Sequence, residues 1–171
     1  MPPIRAAAAA AAAVLTAALA GCGGDAEDDA GTDADESWTA ALHVTAPWAG
    51  DHPDGHGTAD LTSADGTSLQ LAVGGLGEEV EYTAHVHEGT CDEDPPGGGH
   101  WLADPAGEDA PGNIIELVLT TSATGTGETT VSSDLTPDDR ARSVVVHAPD
   151  AVVEAENLDS DRVLCGDLDA D

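Results

Sequence analysis

Short runs of alternating apolar and polar residues, separated by turn-forming residues, extend from Trp38 almost to the end of the chain. A period of two residues is typical of a half-buried β-strand, whereas an amphipathic helix needs a period near 3.6. No long helical period follows residue 20, which disfavours a helical bundle. The pattern therefore predicts an all-β sandwich or flattened barrel of about eight antiparallel strands. The predicted strands are residues 38–46, 58–63, 68–73, 80–86, 114–121, 128–134, 142–147 and 162–168.

The amino terminus has the features of an export signal. Residues 6–20 are almost entirely Ala, and as a helix they would span about 22 Å, short of the roughly 30 Å hydrocarbon core of a membrane. Arg5 precedes this run, and Leu19-Ala20-Gly21-Cys22 ends it in a sequence that resembles the lipobox of bacterial lipoproteins. This resemblance predicts a lipoprotein signal peptide over 1–21 and a lipid anchor on Cys22. The alternative is an ordinary signal peptide with an incidental cysteine.

Negative charge dominates the composition. The 171 residues include 34 Asp or Glu and only four Arg, with no Lys, and the formal net charge is -30. Such a charge disfavours nucleic acid and anionic membrane surfaces as partners. Residues 22–36 are acidic and lack apolar periodicity, which predicts a flexible tether. The length then allows one folded domain, predicted over residues 37–171.

Cysteine usage agrees with export. If Cys22 carries lipid, Cys91 and Cys165 remain, and an exported protein with two cysteines tends to pair them. Closing so long a loop would stabilise the fold by roughly 4–4.5 kcal/mol in the chain-entropy view. Two free thiols, or a metal site, stay open as alternatives.

Four histidines lie in settings typical of metal ligands. His85 and His87 are two residues apart on a predicted strand, so both point away from its apolar inner face. His100 follows three glycines, which allow a close backbone approach, and His147 ends the apolar strand SVVVH. An all-imidazole set suits copper or zinc. For the His85–His87 pair alone, two solvated histidines are the alternative.

The other three histidines precede these four in the chain. His43 lies on the polar face of the first predicted strand and is expected to face solvent. His52 and His56 belong to the turn-rich segment DHPDGHG. They are interpreted either as part of a solvated loop or as a surface site that captures metal.

Several segments, taken in order, resemble the copper/zinc superoxide dismutases. AHVHEGTC (84–91) resembles the segment with the family's His-x-His pair and first disulfide Cys, and GGGHW (97–101) its Gly-rich entry to the metal-bridging His. RSVVVHAPD (142–150) resembles the strand that bears the last copper His, and DRVLCGDL (161–168) the segment with the active-site Arg and second disulfide Cys. The strand–turn–strand that precedes residue 84 also fits, so the resemblance covers roughly residues 38–168.

The resemblance implies a fold, a cofactor and an activity. The fold would be the Greek-key β-barrel, and the activity the dismutation of superoxide to dioxygen and hydrogen peroxide by copper. Cys91 and Cys165 would form the disulfide, and Arg162 would hold the superoxide anion beside the metal; its alternative role is a surface ion pair. The implied copper ligands are His85, His87, His100 and His147.

One departure from the family concerns zinc. The family's zinc site uses the bridging His, two further His and an Asp from the long loop, but residues 101–146 contain no His. Asp104, Glu108 and Asp109 lie in that loop, and carboxylates without imidazoles make a poor zinc site. The sequence therefore predicts that zinc is absent, as in copper-only members, and that a loop carboxylate orients His100 instead.

Two functions from different classes remain open. The first is a lipid-anchored superoxide dismutase at the cell envelope, on the outer face of the cytoplasmic membrane or the periplasmic side. The second is a domain of the same fold that binds or delivers copper without useful turnover; a structural barrel without metal is a weaker third. Arg162 favours the enzyme, whereas the net charge of -30 and the missing zinc ligands favour the binding domain. Zero Lys with abundant Asp also raises the hypothesis of a salty habitat, in which remote charges are screened.

Overall fold

The computed structural model describes residues 36–64 and 66–170, and these residues form an antiparallel β-structure. A 3₁₀ turn, Ala46–Trp48, follows the first strand, and one short helix, α1 (Asp150–Glu156), precedes the eighth. The strands are β1 (Glu36–Val44), β2 (His56–Ala64), β3 (Gly66–Gly74), β4 (Glu81–His87), β5 (Glu116–Thr120), β6 (Gly127–Ser133), β7 (Ser143–His147), β8 (Arg162–Asp167) and β9 (Asp169–Ala170).

The strand order is β5-β4-β7-β8-β1-β2-β3-β6, and the two-residue β9 pairs with β1. All the strand pairs in this order are antiparallel. The two end strands, β5 and β6, contact each other, so the sheet curls into a nearly closed barrel. The prediction of an all-β fold with about eight antiparallel strands is confirmed.

The alternation of buried and exposed residues along the strands shows which face of each strand lines the core. In β2 every second residue is buried, and β3 pairs with it from His56↔Gly74 to Ala64↔Gly66. Because successive side chains of a strand point to opposite faces, one face of each strand turns inward. The largest buried side chains are Trp48, Trp101 and Tyr82, which take the place of the missing Phe in a core otherwise built from Leu, Val, Ile and Ala.

The helix α1 is an element that the sequence pattern does not predict. It has seven residues, none of them buried, so it carries no apolar period to detect. Its ends use local chemistry instead: Pro149 precedes it in an extended conformation, and Asn157 closes it with a left-handed backbone at φ 54°. Asn tolerates that conformation better than most residues, which explains where the helix stops.

A long loop between β4 and β5 crosses the outer face of the barrel. The predicted disulfide is present and joins Cys91 in this loop to Cys165 in β8. The amide of Cys91 also donates to Asp167 Oδ1 over 2.8 Å. These two connections hold the first part of the loop against β8, next to the strands that carry His85, His87 and His147.

The predictions for the amino terminus fall outside the described residues. They are the signal peptide over 1–21, the lipid anchor on Cys22 and nearly all of the tether over 22–36. Within the described residues, no helix combines the length and the apolar character needed to cross a membrane.

Candidate metal centre

The strand β4 presents two imidazoles on its outer face. His85 lies opposite Val145 of β7 and Glu116 of β5, and His87 lies opposite Ser143. Although this face points away from the barrel core, His85 is only 8% exposed and His87 is fully buried, because the long loop folds over them. The alternative of two solvated histidines is therefore wrong for this pair.

Glycines bring His100 of the loop down to His87. Gly97 has φ +84°, and a Cβ at this position would lie 2.5 Å from a methyl group of Val145, so only glycine fits between loop and strand. The Glu88 amide then donates to the Gly99 carbonyl over 3.0 Å, and His87 and His100 form an isolated β-bridge. The close approach predicted for the three glycines before His100 is what seats that imidazole over β4.

The strand β7 supplies the fourth imidazole. His147 lies opposite Thr83 in β4, diagonal to His85 and on the same face. The ladder between β7 and β8 shifts register after Val146, which pairs with Leu164, while His147 pairs with Arg162. An extra residue in β8 is accommodated there, which is a β-bulge.

This bulge determines where Arg162 points. Counting back from Cys165, strict alternation would turn Arg162 toward the core. Instead, Val163 and Leu164 are consecutive and both belong to the core, which the bulge makes possible. Arg162 consequently lies opposite His147 on the outer face.

The four predicted histidines converge. One ring nitrogen from each of His85, His87, His100 and His147 can be chosen so that all four lie within 4.8 Å of one another. The ring centroids are separated by 4.3 Å for His85 and His100 and by at most 6.2 Å for any pair. Among the residues that the structure describes, this is the group of three or more potential ligands close enough to hold a metal ion.

Three carboxylates fix the tautomers of three of these rings. Glu116 Oε2 lies 2.9 Å from His85 Nε2, Asp109 Oδ1 lies 2.9 Å from His100 Nδ1, and Asp161 Oδ2 lies 3.0 Å from His147 Nδ1. An ionised carboxylate only accepts hydrogen bonds, so each of these nitrogens carries the proton and donates. The other nitrogen of each ring is left unprotonated, which is the form that binds a metal.

The fourth ring, His87, has no carboxylate. Its Nε2 lies 3.2 Å from His147 Nε2, and its Nδ1 is buried without a hydrogen-bond partner. Burial, together with the neighbouring His147, His100, Arg162 and His85, lowers the pKa of His87 to about 2. His87 is therefore neutral over the physiological range and keeps a lone pair available.

Burial, hydrogen bonds and neighbouring charges also shift the pKa values of other residues at this site. Burial lowers the pKa of His85, although the hydrogen bond to Glu116 partly opposes it. The hydrogen bond from His147 holds the pKa of Asp161 below its ordinary value, which keeps this carboxylate ionised. Burial lowers the pKa of Arg162, and the neighbouring Asp161 opposes that change.

The residues present fit a resident metal ion. His85 Nδ1 is a buried acceptor with no partner in the described residues, and it belongs to the group of four converging imidazoles. A metal ion bonded to imidazole at about 2.0–2.1 Å would satisfy such an orphaned lone pair. Four nitrogen donors suit copper or zinc, and both metals are consistent with this donor set.

An open cleft of about 500 Å³ leads to the imidazoles from solvent. His85, His100 and His147 line this cleft, and so do Arg162 and Asp161. Arg162 is half-buried, and its guanidinium donates to the carbonyl of Pro96 in the long loop. The guanidinium is therefore held by the loop rather than by an exposed ion pair.

The sequence alone does not single out the three carboxylates that support these rings. It predicted that a loop carboxylate would orient His100, and Asp109 has this position, whereas Asp104 and Glu108 do not contact the ring. Glu116 and Asp161 were not predicted. The signal for Glu116 is its register, directly opposite His85 in the neighbouring strand.

The remaining histidines lie apart from this centre. His43 is exposed, as predicted. The His52 ring stacks on Trp48 with centroids 5.6 Å apart, and His56 Nδ1 lies 2.9 Å from the Asp54 carbonyl. His43 and His56 lie opposite each other in the pairing of β1 with β2, but within the described residues no group of three potential metal ligands forms around them.

No protein-family model and no curated protein matches the sequence of this chain. Among solved structures, it is similar to the Cu/Zn superoxide dismutase from Brucella abortus, with 22% identity over 78% of this chain and 100% of that chain, at a TM-score of 0.51. The described residues therefore have the β-barrel fold of the copper/zinc superoxide dismutases.

Proposed function

We propose that this protein is a copper-dependent superoxide dismutase of the cell envelope. The single observation that carries the proposal is the convergence of His85, His87, His100 and His147, drawn from two strands and a loop, on one point within 4.8 Å. Three carboxylates prepare three of these rings to bind metal, and an open cleft admits a small substrate. The similarity of fold to a Cu/Zn superoxide dismutase supports the same conclusion.

Bound copper would supply the redox chemistry, in which two superoxide anions and two protons give dioxygen and hydrogen peroxide. The four imidazoles would hold the metal, and Glu116, Asp109 and Asp161 would keep three rings in the metal-binding tautomer. Because the cleft is open, solvent can deliver the two protons that the peroxide product requires.

Arg162 would attract and orient the anion. It lies opposite His147 at the wall of the cleft, and its guanidinium is fixed by the Pro96 carbonyl. A pre-positioned cation next to the site where an anion must bind stabilises it without a cost of reorganisation. Copper storage requires no such group, so Arg162 favours an enzyme over a storage protein.

The location follows from the sequence rather than from the fold. We propose that Cys22 carries a lipid anchor and that the domain is exposed outside the cytoplasm. The disulfide Cys91–Cys165 supports this location, because disulfides persist in oxidising compartments.

We further propose that copper is the only resident metal. His100 Nδ1, the nitrogen that would face a zinc ion if His100 bridged two metals, is engaged by Asp109. Metal analysis of copper-loaded protein should give one copper and less than stoichiometric zinc. Stoichiometric, tightly bound zinc would contradict this part of the proposal.

The decisive experiment is superoxide decay with copper-loaded protein, compared with the variant Arg162→Ala. We expect activity that requires copper and a loss of roughly tenfold or more in the variant, whose copper content stays unchanged. Arg142→Ala is the matched control, because it removes the same charge from an exposed position whose side chain does not line the cleft. Full activity without copper would defeat the proposal.

The second candidate is a domain that binds or delivers copper. The observation that favours it is the net charge of -30, which repels superoxide and attracts metal cations. Stoichiometric copper binding without measurable superoxide decay, in both the unmodified protein and Arg162→Ala, would support this candidate over the enzyme.

A further inference from the structure

Two residues that are neighbours in the sequence supply the cleft beside the imidazoles with a carboxylate and a guanidinium. Asp161 and Arg162 are consecutive residues, yet both line the cleft. Consecutive side chains of a regular strand point to opposite faces. Asp161 precedes the first residue of β8, so this alternation does not apply to it, and the bulge after Val146 turns Arg162 toward the face that His147 occupies.

We propose that Asp161 is a positioning residue that also sets anion affinity: it holds His147 and offsets the charge of Arg162, so that the centre attracts anions only weakly. This inference rests on the proposed function, because it concerns the approach of an anionic substrate to the same site. It adds to that function a residue that opposes, rather than assists, the attraction of the substrate.

The backbone around Asp161 is fixed on both sides. The Asp161 carbonyl accepts from the Ala148 amide over 2.7 Å, and the Ser160 carbonyl accepts from Trp48 Nε1 over 2.9 Å. Thr45 Oγ1 donates to the Arg162 carbonyl. Because Trp48 is fully buried, these bonds anchor the segment 160–162 to the barrel. The carboxylate and the guanidinium are therefore held in place, and their fields act on the cleft at constant geometry.

The two charges act on the cleft separately rather than as a closed ion pair. The Asp161 carboxylate is engaged by His147 Nδ1 at 3.0 Å, and the Arg162 guanidinium by the Pro96 carbonyl. The Asp161 side chain is 50% exposed, so its field acts through a medium close to water. At separations of several ångströms, one unit charge then changes the affinity for an anion roughly three- to tenfold.

The test uses azide as the probe anion and copper-loaded Asp161→Asn. The amide oxygen of Asn still accepts from His147 Nδ1, so the copper EPR spectrum should keep its form while the negative charge is lost. We expect azide affinity to rise roughly three- to tenfold at 10 mM salt. The gain should shrink to less than about twofold at 1 M salt, where the Debye length is about 3 Å.

The control is Asp150→Asn, which removes a carboxylate from the same cleft. Asp150 is exposed, and no hydrogen bond holds its carboxylate beside an imidazole in the described residues, so a smaller gain than that of Asp161→Asn is expected. An equal gain in both variants would overturn the assignment to Asp161. Unchanged or weaker azide binding in Asp161→Asn with an unaltered EPR spectrum would also overturn it.

Arg162→Gln covers the case in which Asp161→Asn alters the copper geometry. With Asp161 left unopposed, azide binding to this variant should weaken and should strengthen again with salt. Azide affinity equal to that of the unmodified protein at every salt concentration would overturn the proposal. Copper content is measured first. Failure of the unmodified protein to bind copper refutes the proposed function. Normal copper binding, combined with any of the azide outcomes named above as overturning the proposal, refutes only the role of Asp161.

Discussion

Asp109 contacts the one imidazole that the loop contributes to the proposed metal site. His85 and His147 are on paired strands, which hold their rings through the ladder, whereas His100 depends on Asp109 for its orientation. Loss of such a supporting carboxylate commonly reduces metal affinity about 10- to 100-fold. Asp109→Ala is therefore expected to weaken copper binding by that factor, measured by competition with a chelator.

The matched control for Asp109→Ala is Glu108→Ala. Glu108 is the preceding loop residue and is exposed, and its backbone carbonyl, not its carboxylate, accepts from Asn113. Copper affinity should stay within about twofold of that of the unmodified protein. An equal loss in both variants would show that the negative charge of the loop matters, rather than the contact to His100.

Between the loop and β7, a small polar cluster fixes the residue next to His100. Trp101 Nε1 donates to Asp138 Oδ1 over 2.9 Å, Arg140 Nε donates to Asp138 Oδ2 over 2.9 Å, and Arg140 lies over the Trp101 ring. Arg140 also donates to the Leu102 carbonyl over 3.0 Å. The cluster therefore ties the loop that carries His100 to the segment that leads into β7.

This cluster predicts a pH dependence of stability. Burial raises the pKa of Asp138, but the hydrogen bonds from Trp101 and Arg140 outweigh this effect and bring the pKa below its ordinary value of 3.8. A lowered acid pKa contributes stability that is present above the ordinary value and is lost as pH falls through the folded value. Asp138→Asn should thus cost about 1 kcal/mol or less at pH 7, since the side chain is 48% exposed.

Urea unfolding of the metal-free protein measures this effect. The difference in unfolding free energy between the unmodified protein and Asp138→Asn should shrink when the pH is lowered from 7 to about 3. Asp139→Asn serves as control, because Asp139 is exposed and takes no part in the cluster. A difference that stays constant with pH would contradict the role assigned to the ionised Asp138.

The β-strands could be predicted from the sequence wherever apolar and polar residues alternate along them. β2 alternates over its whole length and β3 alternates up to Val73, and the predicted ranges of both strands agree with the observed ends to within two residues. The bulge in β8 was not predictable, because Val163, Leu164 and Cys165 form a continuous apolar run with no period. The position of Arg162 on the outer face was therefore implied by the family resemblance alone.

The imidazoles of the candidate site could be predicted from the sequence, but the carboxylates that hydrogen-bond to them could not. Histidine is rare enough in this chain that four well-placed residues stand out. Carboxylates do not, because 34 of them are present and most face solvent in any fold of this composition. Two features of the fold identify carboxylates that contact the imidazoles. The strand register places Glu116 opposite His85, and the path of the loop brings Asp109 to His100.

At the scale of the whole molecule, the net charge of -30 opposes the approach of superoxide. Screening reduces that repulsion, since the Debye length falls from about 10 Å at 0.1 M salt to about 3 Å at 1 M. In its proposed role Arg162 would act at short range inside the cleft, where its charge is screened less than the charges of carboxylates spread over the molecule. Raising the salt from 0.1 to 2 M is therefore expected to increase the rate constant for superoxide decay roughly two- to tenfold.

Steady-state superoxide decay by copper-loaded protein at increasing sodium chloride measures this dependence. Arg162→Ala should show the same relative increase from a lower starting rate, because the remote carboxylates repel the anion whether or not the guanidinium is present. A dismutase that relies on long-range attraction behaves in the opposite way and slows as salt rises. A fall in the rate constant between 0.1 and 2 M would thus mean that a positive field at the cleft reaches beyond Arg162, against the charge of the molecule as a whole.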